Sequence, residues 1–378
     1  MNSPLARIRK RFFKNKSAVA GLCFIALMLV VCLLGYLITP DQSPYANTMT
    51  LQLSTKKPGS AFTFLKIPTS TGAAKENLFS IMWYGQIDNF KNVPIEKYEI
   101  TGDSIITQEF IGVEEPAERQ AYPLHVFIKN HEELTAMELK QAIGQQYIVR
   151  KTFWLGTDIY GRDLLSRILL GVRVSFSVGI IAVLISLTIG VFIGSAAGYF
   201  GGKVDLFLSW IMNVVWALPA LLLVIAISFA LGKGFWQIFV AVGLSMWVEV
   251  ARLVRGQMLT YKNIEFVEAA KALGYRDWYI IRNHILPNIT GPILVIASSN
   301  FASAILLEAG LSFLGFGAQP PIPTWGGMIK EHYGYIIMDA AYLAILPGLA
   351  IMLLVYAFNL VAVGLRDAFD VKSQNLNV

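Results

Sequence analysis

The side chains that most often do chemistry in proteins are few and scattered in this sequence. There is no Gly-x-x-x-x-Gly-Lys-Ser/Thr loop to cradle the phosphates of ATP, and no Gly-x-Ser-x-Gly nucleophile elbow. The histidines form no His-x-x-x-His pair and have no cysteine neighbour; they are His125, His131, His284 and His332. Cys23 and Cys32 would be about 13 Å apart on a helix, too far for a disulfide. The sequence therefore predicts no catalytic group, no metal site, no cofactor and no ATP hydrolysis by this chain.

The most informative segment, residues 265–287, has the pattern of a protein-docking element rather than of a catalytic site. Between Glu265 and Leu273 the apolar residues recur at helical spacing, at positions Phe266, Ala269, Ala270 and Leu273. Gly274 is expected to end this helix, Asp277 to cap a second helix, and Pro287 to stop that helix before the next apolar run. The small residues would let a neighbouring protein approach closely. Periodicity alone also allows a helix lying on lipid.

Glu308 is a second candidate, because an unpaired carboxylate in an apolar run is costly. It can form a structural ion pair, with Arg167 or Arg173, or line a substrate pathway. Asp158 and Arg162 precede the second apolar run. They are expected to form a polar turn that seats an amphipathic 162–172 helix on the membrane, or to contact an extracytoplasmic protein.

The composition requires a membrane. Of the 378 residues, 55% are hydrophobic and only 15% are charged, against about 25% charged in soluble domains. The net charge of +6 fits basic cytoplasmic loops rather than nucleic-acid binding. About 20 apolar residues span a bilayer. We expect six spans, at 17–38, 174–199, 207–230, 236–254, 291–316 and 341–364, with Pro219 kinking the third and Pro347-Gly348 the sixth. Gly190, Gly194 and Gly198 predict close helix packing.

The basic residues before the first span set the orientation. Residues 1–16 are rich in Lys and Arg and lack acids, which predicts a cytoplasmic N-terminal tail. Alternation then places the 255–290 loop and the 367–378 tail in the cytoplasm and residues 39–153 outside. Between them lies a core of residues 154–366.

Residues 39–153 are polar and rich in turn residues, unlike the rest of the chain. Thr101-Gly102-Asp103 separates two strand-like runs and predicts a hairpin. Asn130, with Glu133 three residues later, predicts the start of a helix that Gly144 ends. We expect a small α+β insert outside the cytoplasm, serving either assembly or contact with an extracytoplasmic partner.

The docking segment carries a resemblance to a known family. Glu268-Ala269-Ala270, Gly274 and Leu286-Pro287 resemble the EAA loop of binding-protein-dependent ABC importers. His-Ile-Leu-Pro-Asn at 284–288 resembles the peptide and nickel branch, as do the segments 155–167, 308–317 and 323–329. The order of these motifs is similar to that of the "C" permease subunit. The insert is longer than that family leads us to expect.

The resemblance implies an all-α, multi-pass inner-membrane protein with the fold of a type I ABC importer permease. It further implies a second permease subunit, two ATPase subunits and an extracytoplasmic substrate-binding protein as partners, and no nucleic acid. The implied ATPase-coupling residues are Glu268, Ala269, Ala270, Gly274, Leu286 and Pro287. Peptides are the expected substrate. Nickel chelates, peptide-like antibiotics and a membrane-anchored receptor function are the alternatives.

The predicted orientation can be tested by chemical labelling. A cysteine introduced at Asn89 should react with a membrane-impermeant maleimide in intact cells, after permeabilisation of any outer membrane, because residues 39–153 lie outside the cytoplasm. Labelling only after lysis would overturn the topology.

Overall fold

The computed structural model describes residues 4–69, 77–112, 118–128, 135–232 and 235–370. The chain divides into two compact units. The first comprises Met1–Val30, Val172–Glu331 and Ile345–Val378, and the second comprises Val31–Gly171 and His332–Ala344.

Most of the described chain is helical. The helices are α1 (Pro4–Lys14), α2 (Lys16–Leu34), α3 (Leu78–Tyr84), α4 (Ala136–Gln146), α5 (Leu164–Phe200), α6 (Gly202–Trp216), α7 (Ala220–Leu231), α8 (Phe235–Tyr261), α9 (Glu265–Ala272), α10 (Asp277–Ile280), α11 (Thr290–Leu314), α12 (Trp325–His332) and α13 (Tyr342–Phe369). The strands are β1 (Ser60–Pro68), β2 (Phe90–Thr101), β3 (Ser104–Glu109), β4 (Glu118–Pro123) and β5 (Ile148–Phe153).

Five stretches of described helix are long and apolar enough to cross a membrane. They are Lys16–Leu37, Leu164–Phe200, Trp236–Tyr261, Asp277–Leu314 and Tyr342–Phe369. They confirm the spans predicted at 17–38, 174–199, 236–254, 291–316 and 341–364. Helices α6 and α7 together make a sixth candidate.

The third span is broken rather than kinked, which corrects the prediction of one helix over 207–230. Helix α6 ends at Trp216, Pro219 precedes the first residue of α7, and the two helices meet at 94°. Proline cannot donate the helical hydrogen bond, and its ring disfavours helical geometry in the residue before it. A single Pro therefore ends one helix and starts another.

Two other predicted boundaries were wrong. The separate surface helix at 162–172 does not exist, because α5 runs unbroken from Leu164 and buries Leu164 and Leu170 completely or nearly so. Pro287 does not stop the chain short of the next span. It lies in the first turn of a 3₁₀ segment, where its missing N–H costs nothing, and the helix continues as α11. Most of the predicted basic tail is helix α1, whose Phe12 is buried with residues of α2 and α13.

The first unit is held together by close helix packing along α5 and α8. A Cβ at Gly190 would lie 2.5 Å from the Cβ of Val250, and one at Gly198 would lie 2.5 Å from the Cβ of Met258. Only glycine permits this approach, so the predicted role of the four-residue glycine repeat is confirmed. In the same unit, Phe301 of α11 stacks on Phe358 of α13 with ring centroids 4.0 Å apart.

The second unit contains the predicted insert. Its sheet has the strand order β4-β3-β2-β1-β5, with every neighbouring pair antiparallel. One face packs against α4 around a core of apolar side chains from Leu65, Val93, Ile95, Ile105, Leu139 and Ile143. The other face buries Phe64 and Phe153 against Leu53.

Within the insert, the hairpin is confirmed and the helix limits are corrected. Thr101 pairs with Ser104 across the two-residue turn that Gly102 opens with a φ of 58°. The predicted start of the helix, at Asn130 and Glu133, lies outside the described residues. Thr135 caps α4 instead, its hydroxyl accepting from the Glu138 N–H at 3.4 Å. Gly144 does not end the helix, which continues to Gln146.

Candidate functional site: the loop at 255–290

The loop predicted to dock begins with helix α9 and turns sharply at Gly274. The Tyr275 N–H donates to the Ala270 carbonyl at 3.2 Å, and the Gly274 N–H donates to the Lys271 carbonyl at 2.9 Å. These two bonds form a Schellman motif, which needs a left-handed residue after the helix. Gly274 has a φ of 77° and an open space where a Cβ would lie. Its backbone conformation alone therefore selects glycine.

One face of the loop is buried against α5 and α8. The apolar loop residues of this face are Val267, Ala270, Ile280, Ile281, Ile285 and Ile289. They pack with Tyr199 at the end of α5 and with Val250, Val254 and Met258 of α8. We call this set the seating cluster. It fixes the loop to the ends of two membrane helices.

A hydrogen bond reinforces the seating cluster. The Tyr199 hydroxyl donates to Asp277 Oδ1 at 2.7 Å, and the Lys271 ammonium lies 5.4 Å from the centre of the Tyr199 ring. Asp277 was predicted to cap the second helix. It is instead the first residue of α10, Arg276 occupies the cap position without a side-chain bond, and the Asp277 carboxylate serves this contact with α5.

The opposite face of the loop is exposed and largely aromatic. Its large apolar side chains are those of Phe266, Leu273, Tyr275, Trp278 and Tyr279, and Leu273 is 77% exposed. The Tyr275 and Tyr279 rings stack with centroids 4.9 Å apart. Exposed apolar surfaces of this kind are typical of interaction sites.

The predicted coupling residues divide between the two faces. Glu268 and Ala269 are exposed beside the aromatic side chains, whereas Ala270 is buried. The predicted apolar stripe of α9 is therefore not a buried face: Val267 and Ala270 contact the core, and Phe266 and Leu273 do not. Leu286 packs against the seating cluster, and Pro287 is exposed at the entry to α11.

An ion pair that the sequence did not suggest lies near the loop. Arg255, at the end of α8, donates from Nη2 to Asp205 Oδ2 of α6 at 2.7 Å and from Nε to Asp205 Oδ1 at 2.5 Å. A bidentate pair fixes both distance and orientation. The signal available in the sequence was a single acid, Asp205, in a largely apolar helix.

Glu308 does not form the predicted structural ion pair. It is 1% exposed, and its Oε1 accepts a hydrogen bond from the Ser312 hydroxyl at 2.7 Å. Within the described ranges its Oε2 has no hydrogen-bond partner, and neither Arg167 nor Arg173 pairs with it. Arg167 Nε lies 3.7 Å from Asp158 Oδ2. Pathway lining stays a prediction for Glu308.

Asp158 and Arg162 form a buried pair in the second unit. Asp158 is fully buried and Arg162 is 2% exposed, with Arg162 Nε donating to Asp158 Oδ2 at 2.6 Å. The Tyr160 and Arg162 amides also donate to Asp158 Oδ1, at 2.9 and 3.0 Å. Nearby, burial raises the pKa of Asp163. Such burial favours a structural role over contact with a docked protein.

Comparison with known proteins finds two matching families and several relatives. Residues 190–374 match the family described as binding-protein-dependent transport system inner membrane component, and residues 3–55 match the N-terminal TM domain of oligopeptide transport permease C. Over 219 residues, 58% of the chain, it is 44% identical to the glutathione transport system permease protein GsiD of Pectobacterium atrosepticum, covering 72% of that protein. The chain belongs to the family of binding-protein-dependent transport system inner membrane components.

This permease has further relatives of the same type. It is 42% identical over 219 residues to the dipeptide transport system permease protein DppC of Bacillus subtilis, covering 58% of this chain and 68% of that one. Among solved structures, an inward-facing MetNI methionine ABC transporter matches with a TM-score of 0.43 and 20% identity, over 53% of the permease and 96% of that chain.

The insert falls between the two family matches. The 219 matched residues are 72% of the Pectobacterium protein, which is therefore about 300 residues long, against 378 here. Residues 56–189 lie outside both matched ranges and contain the entire sheet.

The buried pair at Asp158 and Arg162 yields a stability prediction. Arg162→Ala should destabilise the permease by about 3 kcal/mol, because it leaves the buried Asp158 carboxylate with its charge poorly compensated. The measurement is the apparent melting temperature of the purified permease in detergent. Arg150→Ala removes an exposed arginine from β5 and is the matched control. Equal melting temperatures for the two variants would contradict the structural role of the pair.

Proposed function

We propose that the permease forms half of the translocation pathway of an ATP-driven importer of small peptides. In this proposal ATP binding and hydrolysis belong to two ATPase subunits, since the sequence has no phosphate-binding loop of its own. The observation that carries the proposal is the two-sided loop at 255–290. One side is seated on membrane helices and the other is exposed and aromatic.

The exposed face supports docking to a protein rather than to lipid. It combines stacked tyrosines and a tryptophan with a charged residue, Glu268, and a tight glycine turn. Aromatic residues are enriched at protein interfaces, where they bury large areas at low entropic cost. The desolvated Glu268 carboxylate would meet a basic residue of the ATPase.

Peptides are the substrate class that the relatives support. The names of two relatives specify glutathione and dipeptides, which are small peptides with free carboxylates. Nickel chelates and peptide-like antibiotics remain the alternative for the same machinery. A membrane-anchored receptor has no need of a seated, exposed coupling loop.

The proposed assembly contains a second permease subunit as a heterodimer partner, two ATPase subunits and an extracytoplasmic substrate-binding protein. The termini and the 255–290 loop would face the cytoplasm, with the insert on the other side of the inner membrane. Closure of the ATPases would pull on the loop. Because the seating cluster ties the loop to α5 and α8, those helices would move with it as a rigid body.

A pair of variants tests the coupling role. Gly274→Val should insert into the membrane normally but lose ATPase co-purification and substrate-stimulated ATP hydrolysis, since a β-branched residue at a φ of 77° costs about 1–2 kcal/mol and misdirects the turn. Glu268→Ala should weaken docking about tenfold, as expected for loss of one charge-assisted hydrogen bond. The measurements are pull-down of the ATPase subunits and ATPase assays in liposomes at matched permease levels.

Gly232→Val is the matched control. Gly232 also has a positive φ, of 94°, and an open space where a Cβ would lie, but it ends α7 instead of α9. It should retain ATPase association. If Gly274→Val retained full association and full stimulated hydrolysis, the loop would be better explained as a helix lying on lipid.

A further inference from the structure

Helix α8 carries a charged residue within its candidate membrane span. Glu249 lies 13 residues after Trp236 and six residues before Arg255, where the loop predicted to be cytoplasmic begins. At about 1.5 Å per residue this places it about 9 Å inside the span from the loop end. Its side chain is exposed on the surface of the chain.

An exposed carboxylate at this depth cannot face lipid without a large cost, so it faces a protein or a water-filled cavity. The rest of the same helix face agrees. Ser245 precedes Glu249, and Arg252, Gly256 and Thr260 follow it, all at helical spacing, and each is at least partly exposed. The opposite face of α8, with Val250, Val254 and Met258, is buried.

Exposed faces of other spans are largely apolar, as lipid contact requires, with single uncharged polar residues such as Thr188 on α5 and Asn359 on α13. They carry side chains such as Leu27 and Val30 on α2, Leu184 and Phe192 on α5, and Met352 and Tyr356 on α13. The polar exposed face of α8 therefore differs in chemistry from the faces that meet lipid. A water-filled pathway is the environment that suits it.

Arg252, whose charge is opposite in sign to that of Glu249, lies about one helical turn away. Arg252 Nη2 donates to Asn213 Oδ1 of α6 at 2.8 Å, and its guanidinium lies 4.3 Å from the centre of the Trp216 ring, next to the break between α6 and α7. These contacts orient Arg252. Within the described residues Glu249 makes neither a hydrogen bond nor an ion pair, so its carboxylate is available to a ligand.

We propose that Glu249 is a substrate subsite within the membrane span of α8 that binds the ammonium group of a peptide in transit, with Arg252 supplying the balancing charge for a zwitterion. The inference rests on the proposed function, since it names the part of a peptide substrate that the pathway recognises. A carboxylate with free acceptor oxygens is the natural partner of an ammonium group.

The direct test is ligand binding to the purified permease in nanodiscs, measured by saturation-transfer NMR. The probes are alanyl-alanine and N-acetyl-alanyl-alanine, which differ in the ammonium group. The wild-type permease should bind the free amine about tenfold more tightly than the acetylated probe. Glu249→Gln, which keeps the size and removes the charge, should lose this preference. Glu99→Gln, at an exposed position of β2, should retain it.

The second measurement is uptake by the assembled transporter in liposomes. Glu249→Gln should reduce alanyl-alanine uptake about tenfold while ATPase co-purification and ATP hydrolysis without substrate stay at the wild-type level. Equal probe preference and equal uptake in wild type and Glu249→Gln would overturn the inference. Loss of the second permease subunit on purification of Glu249→Gln, with unchanged probe preference, would also overturn it and assign Glu249 to the subunit interface. Absence of peptide uptake by the wild-type transporter would instead contradict the proposed function.

Discussion

The contact on which the account depends is the seating cluster between the 255–290 loop and the ends of α5 and α8. Val267, Ala270 and Ile280 are buried there, and the Tyr199–Asp277 hydrogen bond joins the loop to α5. Closely packed cores adopt discrete arrangements and do not deform continuously. A force applied to the exposed face of the loop is therefore delivered to the membrane helices instead of being absorbed by the loop.

Helix α8 connects this cluster with the membrane-spanning part of the chain. Its buried face holds the loop through Val254 and Met258 and packs against the glycines of α5. Its exposed face carries Glu249 and Arg252. One rigid element thus links the proposed ATPase contact to the proposed substrate contact, and the Arg255–Asp205 pair joins it to α6, beside the broken span.

Apolar run length and turn chemistry were enough to predict most of the fold. The spans, the glycine-mediated packing, the hairpin at Gly102 and the helix end at Gly274 all follow from local signals. Local signals failed where the outcome depended on packing. Pro219 allowed either a kink or a break in the third span. The start of α5 as early as Leu164 depended on the burial of Leu164 and Leu170.

The candidate site was predictable as a segment but not as a surface. Helical spacing identified α9, but it could not tell that Val267 is buried while Leu273 is exposed, because that depends on where α5 and α8 lie. Asp277 illustrates the same limit, since a good capping residue was used for a tertiary hydrogen bond. Glu249 was missed because a hydropathy count averages one charge into an apolar run.

The most direct test of the account is a distance measurement within the permease. Spin labels at Asn283, in the loop, and at Thr188, on α5, both replace exposed residues outside the aromatic docking face, in a background without Cys23 and Cys32. Electron-electron resonance would be recorded on the assembled transporter, nucleotide-free and ATP-bound. The account predicts one narrow distance distribution that is the same in both states. A distribution that broadens or shifts with ATP would show that the loop moves independently of the membrane helices, which contradicts the central claim.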